Sequence, residues 1–174
     1  NCNYIIYEHD HKYLNTRNPA NYRYFKAPQK EIRNFFFYKS ADAVVAQSSF
    51  HKKIIEKNLS LKNVFSISGN LWSLSSLKKL RDNCKKHKNT RCSVLNSNIP
   101  HKNTSGATMY CEENNLGYEL VSSNNYIDFL DKLGANKTFV FLPKTPETLS
   151  RVVVEARMMG MSVKTNSLVG ACQE

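Results

Sequence analysis

Short apolar runs alternate with amphipathic stretches over the first seventy residues. Apolar runs bounded by polar residues predict strands, and an apolar period of 3.6 residues predicts helices. Strands are expected at residues 3–8, 43–47 and 64–68, and the first of these is expected to be buried. Helices are expected at residues 28–40, with Ile32, Phe35 and Phe36 on the apolar face, and at residues 50–58, with Ser48 or Ser49 as the cap.

The pattern restarts after a polar, lysine-rich stretch that is expected to be helical over residues 74–88. Further strands are expected at 92–96, 118–122, 138–142 and 162–165, and further helices at 107–113, 126–133, ending at Gly134, and 148–159. Alternating strands and helices favour parallel sheets with crossover helices. The sequence therefore predicts an α/β fold with two parallel sheets, divided near residues 71–91.

The positive charge is concentrated in the first half of the chain. The formal net charge is +11, and residues 1–70 carry eleven Lys and Arg against five Asp and Glu. Residues 71–91 carry seven against one, whereas residues 92–174 are close to neutral. Such an excess favours an anionic partner, which could be nucleic acid, an acidic lipid surface or a phosphorylated substrate. A solvated lysine-rich surface is the alternative explanation.

Several classes of protein are disfavoured. No run of 18 apolar residues or signal peptide is present, so no transmembrane helix is expected. Gly-x-Gly-x-x-Gly, P-loop and Gly-x-Ser-x-Gly motifs are also missing. An odd number of cysteines without Cys-x-x-Cys spacing favours reduced thiols in a cytosolic protein: Cys2, Cys84, Cys92, Cys111 and Cys172. Because the chain lacks an initial Met and opens on a strand, we expect it to be part of a longer protein.

Two carboxylates in residues 146–160 are the main candidates for chemistry. Glu147 and Glu155 are separated by seven residues, with Glu147 on the turn after a strand and Glu155 on the following helix. A helix that starts after a strand offers free backbone N–H groups to an anion. Glu155 lies among apolar residues, where a carboxylate needs a ligand hydroxyl or a basic partner. The alternative is a helix-dipole partner and a solvated surface residue.

This segment resembles the Glu-x7-Glu motif of retaining GT-B glycosyltransferases, which use nucleotide sugars. Residues 41–70 and 92–174 are similar to other parts of that family, which has two Rossmann-like parallel-sheet domains. The resemblance implies that residues 1–70 are the C-terminal part of the acceptor-side domain. It also implies a basic linker or helix at 71–91 and the N-terminal part of the nucleotide-sugar domain at 92–174. Both domains are expected to be incomplete.

The resemblance also implies roles for individual residues. Glu147 would contact hydroxyls of the donor sugar as a catalytic residue, and Glu155 would bind the ribose. Lys102 and a helix start at Thr148 and Leu149 would hold the diphosphate. Ser97 or Asn98 stands where the family has an arginine, so either the diphosphate is stabilised more weakly or another residue such as Arg151 assists. No cofactor or metal is implied, and the nucleotide sugar is a co-substrate.

Residues 7–17 form a third candidate segment because they follow the first strand, at the edge where open α/β sheets bind ligands. His9, Asp10 and His11 are consecutive, and Arg17 follows. The segment is similar to the Tyr-x-His-Asp-His stretch of phage DNA α-glucosyltransferases. That resemblance implies that His9 and Asp10 lie beside the acceptor as catalytic residues, with His11 and Arg17 nearby. A zinc site and a pair of surface histidines are the alternatives.

The predicted function is transfer of a sugar, with retention, from a nucleoside-diphosphate donor to a hydroxyl acceptor. A polysaccharide or lipid-linked glycan is the first expectation for the acceptor, and DNA is the second. The expected location is the cytoplasm, with peripheral contact at the inner face of the membrane as an option. A non-catalytic basic nucleic-acid-binding module and an inactive truncated product are the other hypotheses.

Overall fold

The structure is a computed structural model and describes residues 3–174. The chain forms two compact units, and each is assembled from separate stretches of sequence. The first unit contains the described residues up to Asn70 together with Thr145–Ser150 and Ser167–Glu174. The second contains Leu71–Lys144 and Arg151–Asn166. The domain boundaries expected from the resemblance stay a prediction.

A three-stranded parallel sheet forms the centre of the first unit, with strands in the order β1-β2-β3. They are β1 (Ile5–Tyr7), β2 (Ala43–Ala46) and β3 (Val64–Ser66), joined through helices α1 (Phe35–Lys39) and α2 (Ser49–Leu59). Val44 and Ala46 point into the core because alternate residues of a strand face the same side. The predicted strands at 43–47 and 64–68 are therefore confirmed. β1 is only partly buried, since Ile5 is 66% exposed, so the expectation of a buried first strand is wrong.

The predicted cap of α2 is also confirmed. Ser48 has an extended backbone, and its hydroxyl accepts a 3.0 Å hydrogen bond from the backbone N–H of His51. This bond satisfies one of the N–H groups that a helix start leaves without an intrahelical partner. The helix begins at the carboxyl end of β2, so its first turn lies beside the end of the sheet.

The predicted helix over residues 28–40 is confirmed only at its end, Phe35–Lys39, and Phe36, expected on the apolar face, is 78% exposed. Gln29–Glu31 forms a separate short 3-10 helix. Leu14 and Ile32 form an antiparallel bridge, and Arg33 donates a 2.8 Å backbone hydrogen bond to Tyr13. Asn34 then adopts a left-handed conformation with a φ of 54°. Pairing with a segment about twenty residues earlier therefore interrupts the expected helix and separates the 3-10 turn from α1.

The second unit contains a four-stranded parallel sheet in the order β5-β4-β6-β7. Its strands are β4 (Asn89–Leu95), β5 (Tyr118–Val121), β6 (Asn136–Phe141) and β7 (Ser162–Thr165). Its helices are α3 (Leu74–Lys85), α4 (Thr104–Glu113), α5 (Tyr126–Leu133) and α6 (Arg151–Met158). All the strands and helices predicted after residue 73 are present, with ends that shift by a few residues. β4 begins at Asn89, within the stretch expected to be a linker.

The carboxyl-terminal halves of the two central strands, β4 and β6, are buried. Val94 of β4 and Val140 of β6 are completely inaccessible, and Cys92, Ala107 and Cys111 pack on the same core. The chain leaves β4 towards β5 on one side, and it leaves β6 towards β7 on the other. The direction of winding therefore reverses between β4 and β6. In open parallel sheets this reversal creates a crevice at the carboxyl ends of the two strands.

The helix expected at residues 148–159 begins three residues later, at Arg151, so a helix start at Thr148 and Leu149 is wrong. Glu147 forms a parallel bridge with Val169, and its backbone N–H donates a 2.8 Å hydrogen bond to Leu168. Ser150 then takes a left-handed conformation with a φ of 68°, which interrupts the chain before the helix. Residues 147–149 are held in extended backbone pairing, and this pairing excludes helical geometry.

No helix within residues 3–174 is long and apolar enough to cross a membrane. No disulfide joins the four cysteines described there, and Cys2 lies outside the described residues.

Candidate functional site

The carboxylate of Glu155 is the centre of a polar cluster in the second unit. Glu155 lies on α6 and is only 3% exposed. Its Oε1 atom accepts hydrogen bonds from the indole nitrogen of Trp72 at 2.9 Å and from the hydroxyl of Tyr126 at 2.8 Å. The guanidinium of Arg151, one helical turn earlier, lies 3.5 Å from the same oxygen. Three groups from separate stretches of sequence therefore converge on one carboxylate oxygen.

This arrangement compensates the burial of the carboxylate. A buried charge is costly unless it is paired and hydrogen-bonded, and Glu155 has both kinds of partner. The expectation that Glu155 would be buried beside a basic partner is confirmed by Arg151. Burial, together with the hydrogen bond to Glu155, raises the pKa of Tyr126, so this hydroxyl keeps its proton and acts as a donor. Oε2 takes part in none of the three contacts.

Arg151 also contacts the aromatic member of the cluster. Its guanidinium carbon lies 5.3 Å from the centre of the Trp72 ring, a cation–π distance. The Arg151 side chain is 47% exposed, so it reaches from the buried carboxylate to the surface. The guanidinium of Arg151 is therefore accessible to solvent, while the Glu155 carboxylate that it pairs with is buried.

Trp72 and Tyr126 are members of this cluster that sequence reasoning missed. Trp72 lies 83 residues before Glu155, and no local periodicity connects the two. The available signal was that Trp72 is the only tryptophan in the chain and stands among serines and leucines just before a helix. Tyr126 opens α5, a position that a strand–helix reading alone does not distinguish from other surface tyrosines.

Lys102 lies in the loop that follows β4. Its Nζ atom is 5.7 Å from the centre of the Phe141 ring, and Phe141 is the last residue of β6. The loop is tied to the same strand end by the Asn103 side chain, which donates a 2.7 Å hydrogen bond to the carbonyl of Leu142. Lys102 therefore stands at the carboxyl ends of β4 and β6, where the winding direction reverses.

Ser97 stabilises the shape of this loop. Its backbone N–H donates to the Thr104 hydroxyl at 3.1 Å, and its own hydroxyl accepts from the N–H of Ile99 at 3.2 Å. Because Ser97 is uncharged, it cannot replace the positive charge of the arginine that the resembled family has here. Lys102 is therefore the lysine that this loop places near the strand ends.

The polar groups of the second unit collect along one edge of its sheet. The Lys102 loop follows β4, Tyr126 follows β5, and Arg151 and Glu155 belong to the helix between β6 and β7. Parallel strands end at the same edge, so these residues share the side on which open α/β sheets bind ligands. This edge is the candidate site of the second unit.

Glu147, Thr148 and Leu149 belong to the first unit. The Thr148 hydroxyl is within hydrogen-bond distance of the Gln47 side chain, at 2.7 Å, and of the His9 carbonyl, at 3.1 Å. Leu149 is 2% exposed and is therefore a core residue. Thr148 and His9, predicted for different parts of the site, are thus brought together within the first unit.

The His9–Asp10 segment follows β1. His9 is exposed, its ring packs edge-on against Tyr7 at 4.2 Å, and its Nδ1 lies 3.5 Å from the Gln47 side-chain nitrogen. Asp10 is partly exposed and lies 4.0 Å from the guanidinium of Arg17. Both side chains are therefore accessible at the carboxyl end of the first sheet. Among residues 3–174, no group of His, Cys, Asp and Glu has the geometry to hold a metal ion.

His11 is placed differently, since its side chain is 2% exposed. Its Nδ1 lies 3.0 Å from the Tyr13 hydroxyl, and its ring is 4.9 Å from that of His51. Burial lowers the pKa of both histidines to about 3, so both rings are neutral at physiological pH. His11 is therefore part of the core beneath the His9–Asp10 segment, and the surface-histidine alternative does not apply to it.

Two residues that the sequence did not single out hold the backbone of Asp10. The imidazole of His51 accepts from the Gln47 N–H at 3.3 Å and donates to the Asp10 carbonyl at 3.0 Å. The carboxylate of Glu8, 2% exposed, accepts from the Asp10 N–H at 3.2 Å and from the Tyr38 hydroxyl. Both backbone groups of Asp10 are thus bonded to buried side chains, and this fixes the segment that carries His9.

The two α/β units with parallel sheets place the chain in the fold class predicted from the sequence, with the layout of a partial GT-B fold. Among solved structures, the chain is similar to Anabaena Alr3699/HepE in complex with UDP and glucose. The TM-score is 0.56 at 17% sequence identity, and the likeness covers 97% of this chain and 54% of that one. The chain spans about half the length of that protein, and at this identity the likeness shows the fold alone.

No protein-family model matches the sequence. No curated protein matches it either.

Proposed function

We propose that the protein is a glycosyltransferase that moves a sugar from a nucleoside diphosphate to a hydroxyl group. The observation that carries this proposal is the Glu155 carboxylate, held by Trp72, Tyr126 and Arg151 beside the carboxyl edge of a doubly wound sheet. The Glu-x7-Glu resemblance supports a nucleotide sugar as the ligand of this edge. The UDP and glucose bound by Alr3699/HepE, which shares the fold, also support it.

In this proposal the second unit binds the nucleoside diphosphate. Oε2 of Glu155 accepts hydrogen bonds from the ribose hydroxyls, because Oε1 is already used by the protein. Lys102 supplies a fixed positive charge to the diphosphate, and the first backbone N–H groups of α6 add partial positive charge. Arg151 assists, since Ser97 carries no charge. Because Thr148 and Leu149 precede the helix, the backbone N–H groups proposed to face the diphosphate are those of Arg151 and Val152.

The first unit is proposed to bind the acceptor and the transferred sugar. Glu147 contacts hydroxyls of the donor sugar, and His9 and Asp10 lie beside the acceptor, with His11 and Arg17 as supporting residues. The acceptor hydroxyl attacks the sugar on the face that the diphosphate leaves, which retains the configuration. Its proton passes to the departing phosphate oxygen. As the resemblance implies, this reaction needs no metal ion or cofactor. The odd number of cysteines without Cys-x-x-Cys spacing supports a cytoplasmic location.

A polysaccharide or lipid-linked glycan is the proposed acceptor, and hydroxylated DNA is the alternative. The positive charge of the chain is compatible with both, because phosphate is present in a DNA backbone and in a lipid diphosphate. Transfer of labelled sugar by the full-length protein to lipid-linked acceptors or to hydroxymethylated DNA separates them. Transfer to neither across the common donors would leave the acceptor proposal without support.

The donor proposal is tested by binding to this chain. UDP-, GDP- and ADP-sugars are compared by thermal shift, and at least one is expected to raise the melting temperature because a ligand that binds only the folded state stabilises it. Glu155→Ala should weaken this binding by about 1–3 kcal/mol, the scale of lost hydrogen bonds to a charged group. Glu113→Ala, which removes an exposed carboxylate from α4, is the matched control and should bind as the parent does.

The same samples distinguish the non-catalytic alternative. Salt-dependent DNA binding in the absence of any response to nucleotide sugars would contradict the enzyme and favour a nucleic-acid-binding module. A parent chain that melts cooperatively yet responds to no donor would contradict the proposed site in this chain.

A further inference from the structure

The seven basic residues between positions 71 and 91 do not all face solvent in the same way. Lys79 and Lys86 both bind the Asp131 carboxylate, at 2.6 and 2.9 Å. Arg91 pairs with Glu119 at 2.8 Å. These contacts place three of the seven cations in ion pairs within the second unit.

A fourth cation is buried. Lys88 is 9% exposed, and its ammonium donates hydrogen bonds to the carbonyls of Asn83 at 3.1 Å and Gly134 at 2.7 Å. Burial lowers the pKa of Lys88, in keeping with an environment from which water is largely removed. Its charge is therefore not available to a partner.

The remaining three cations lie in a row on α3. Lys78, Arg81 and Lys85 are exposed, and within residues 3–174 none of them forms an ion pair. Spacings of three and four residues put them on one face of the helix. Leu80 on the opposite face is buried, so the three cations point away from the unit. The exposed Asp82 shares their face by its spacing, which leaves the face a net charge of +2.

Apolar side chains accompany these cations. Leu74, at the start of α3, is 85% exposed and falls on the same face by its spacing from Lys78 and Arg81. Leu71, just before the helix, is 77% exposed. Leu77 lies at the side of the face and lines a shallow groove of about 310 Å³ together with Leu80, Arg81, Cys84 and Met158. Leu74 and Leu77 are neighbours on α3 by their spacing of three residues, and contiguous exposed apolar side chains mark an interaction surface.

We propose that this surface, the α3 outer face of Leu71, Leu74, Leu77, Lys78, Arg81 and Lys85, docks onto an anionic lipid bilayer. Lipid is the partner that complements both components, because its headgroups attract the three cations while its acyl boundary accepts the leucines. A nucleic acid attracts the cations, but its apolar groups are single thymine methyls and base faces within the grooves, so it complements a row of exposed leucines less well than an acyl boundary does. Membrane docking is independent of the Glu155 cluster and goes beyond the proposed transfer reaction.

Vesicle flotation of the 174-residue chain tests the proposal. Binding is expected to vesicles of phosphatidylcholine mixed with phosphatidylglycerol, and to be weak to phosphatidylcholine alone. The triple variant Lys78→Ser/Arg81→Ser/Lys85→Ser should lower the affinity for the mixed vesicles about a hundredfold at low salt, since each basic residue near an anionic surface contributes roughly fivefold. Leu71→Ser/Leu74→Ser should lower it by about tenfold or more, because two aliphatic contacts are lost.

The matched control removes the same charge elsewhere. Lys30→Ser/Lys39→Ser/Lys53→Ser replaces three exposed lysines of the first unit and should retain binding to the mixed vesicles within about twofold to threefold. Melting temperatures of all variants establish that each is folded. Equal loss in the two triple variants would overturn the proposal, because net charge would then explain the binding.

Two other results would also overturn it. The first is binding to a DNA duplex but not to vesicles, with the three α3 cations required and the leucines dispensable. The second is a self-associated chain whose dimer dissociates in the leucine variant, since the α3 outer face would then bind a second copy. Binding that needs both the cations and the leucines, and only when phosphatidylglycerol is present, supports the membrane.

Discussion

The indole nitrogen of Trp72 donates a 2.9 Å hydrogen bond to the carboxylate of Glu155, 83 residues further along the chain. The bond connects the residue just before α3 to the middle of α6, and it lies inside the second unit. A buried carboxylate depends on such donors because it has lost most of its contact with water. The ligand-binding role proposed for Glu155 and the stability of this unit therefore depend on the same contact.

The contribution of the Trp72–Glu155 hydrogen bond to the free energy of unfolding can be measured with a double-mutant cycle. Trp72→Phe removes the N–H donor and keeps an aromatic ring, so we expect it to lower the free energy of unfolding by about 1.5–3 kcal/mol. In a Glu155→Gln background the same change should cost much less, since no charged acceptor remains. Urea unfolding of the four proteins gives the coupling energy.

Tyr126→Phe serves as the parallel variant because it removes the second donor to the same oxygen. It should also couple to Glu155→Gln. Additive effects of Trp72→Phe and Glu155→Gln would mean that the hydrogen bond contributes nothing measurable.

Lys102→Ala should weaken binding of a nucleotide sugar by about 1–3 kcal/mol, because it removes the positive charge proposed to face the diphosphate. The matched control is Lys137→Ala, an exposed lysine at the opposite, amino-terminal end of the same sheet. Titration calorimetry with a donor that binds the parent provides the measurement. If both lysine variants lost affinity equally, general electrostatic attraction would be the better explanation.

The two buried histidines predict a pH dependence of stability. Burial lowers the pKa of His11 and His51 to about 3, whereas a histidine in an unfolded chain has a value of about 6.5. Below pH 6.5 the unfolded chain binds protons that the folded chain does not. Stability present above pH 6.5 should therefore fall as the pH is lowered, by about 1.4 kcal/mol per pH unit for each histidine.

Urea unfolding between pH 6.5 and 5 measures this slope, in a window above most carboxylate titration. His51→Gln should reduce the slope by about half, whatever its effect on stability at neutral pH. A slope that His51→Gln leaves unchanged would contradict a buried, neutral imidazole at this position.

Cysteine reactivity should divide the described thiols into two groups. Burial raises the pKa of Cys111 to about 11 and also raises the pKa of Cys92, so neither forms much thiolate at pH 8. Cys84, on α3, and Cys172 are exposed and should react first with a disulfide reagent. Stopped-flow labelling of Cys84→Ser should lack one fast phase, while Cys92→Ser should change only the slow phase that follows unfolding. A fast phase lost in Cys92→Ser would contradict the burial of that thiol.

Local sequence pattern was sufficient for most elements of this fold and insufficient where distant segments pair. β2 is a short apolar run, and α2 and α5 have an apolar period and an adjacent capping residue, so their positions follow from nearby residues. Residues 28–34 have an equally helical pattern, yet they form only a short 3-10 helix and bond to residues 13–15. Such pairing has no signal in a window of ten residues, because the partner lies outside it.

The same limit applies to the candidate site. The burial of Glu155 and its basic partner follow from the apolar residues around it and from Arg151 one turn earlier. Trp72 and Tyr126, which complete the cluster, are distant in sequence and are brought there only by packing of α3, α5 and α6. In the first unit, Glu8 and His51 were not identified because their function is to hold another residue's backbone.

The division of the first unit among three stretches of sequence has a consequence for evolution. A single crossover after Asn70 would separate this unit from residues 145–150 and 167–174, which carry the backbone pairing of Glu147 with Val169. Exchanging one unit between related genes would require four junctions, at residues 70, 144, 150 and 166. Recombination of that kind is rare, so the two units are expected to be inherited as one block.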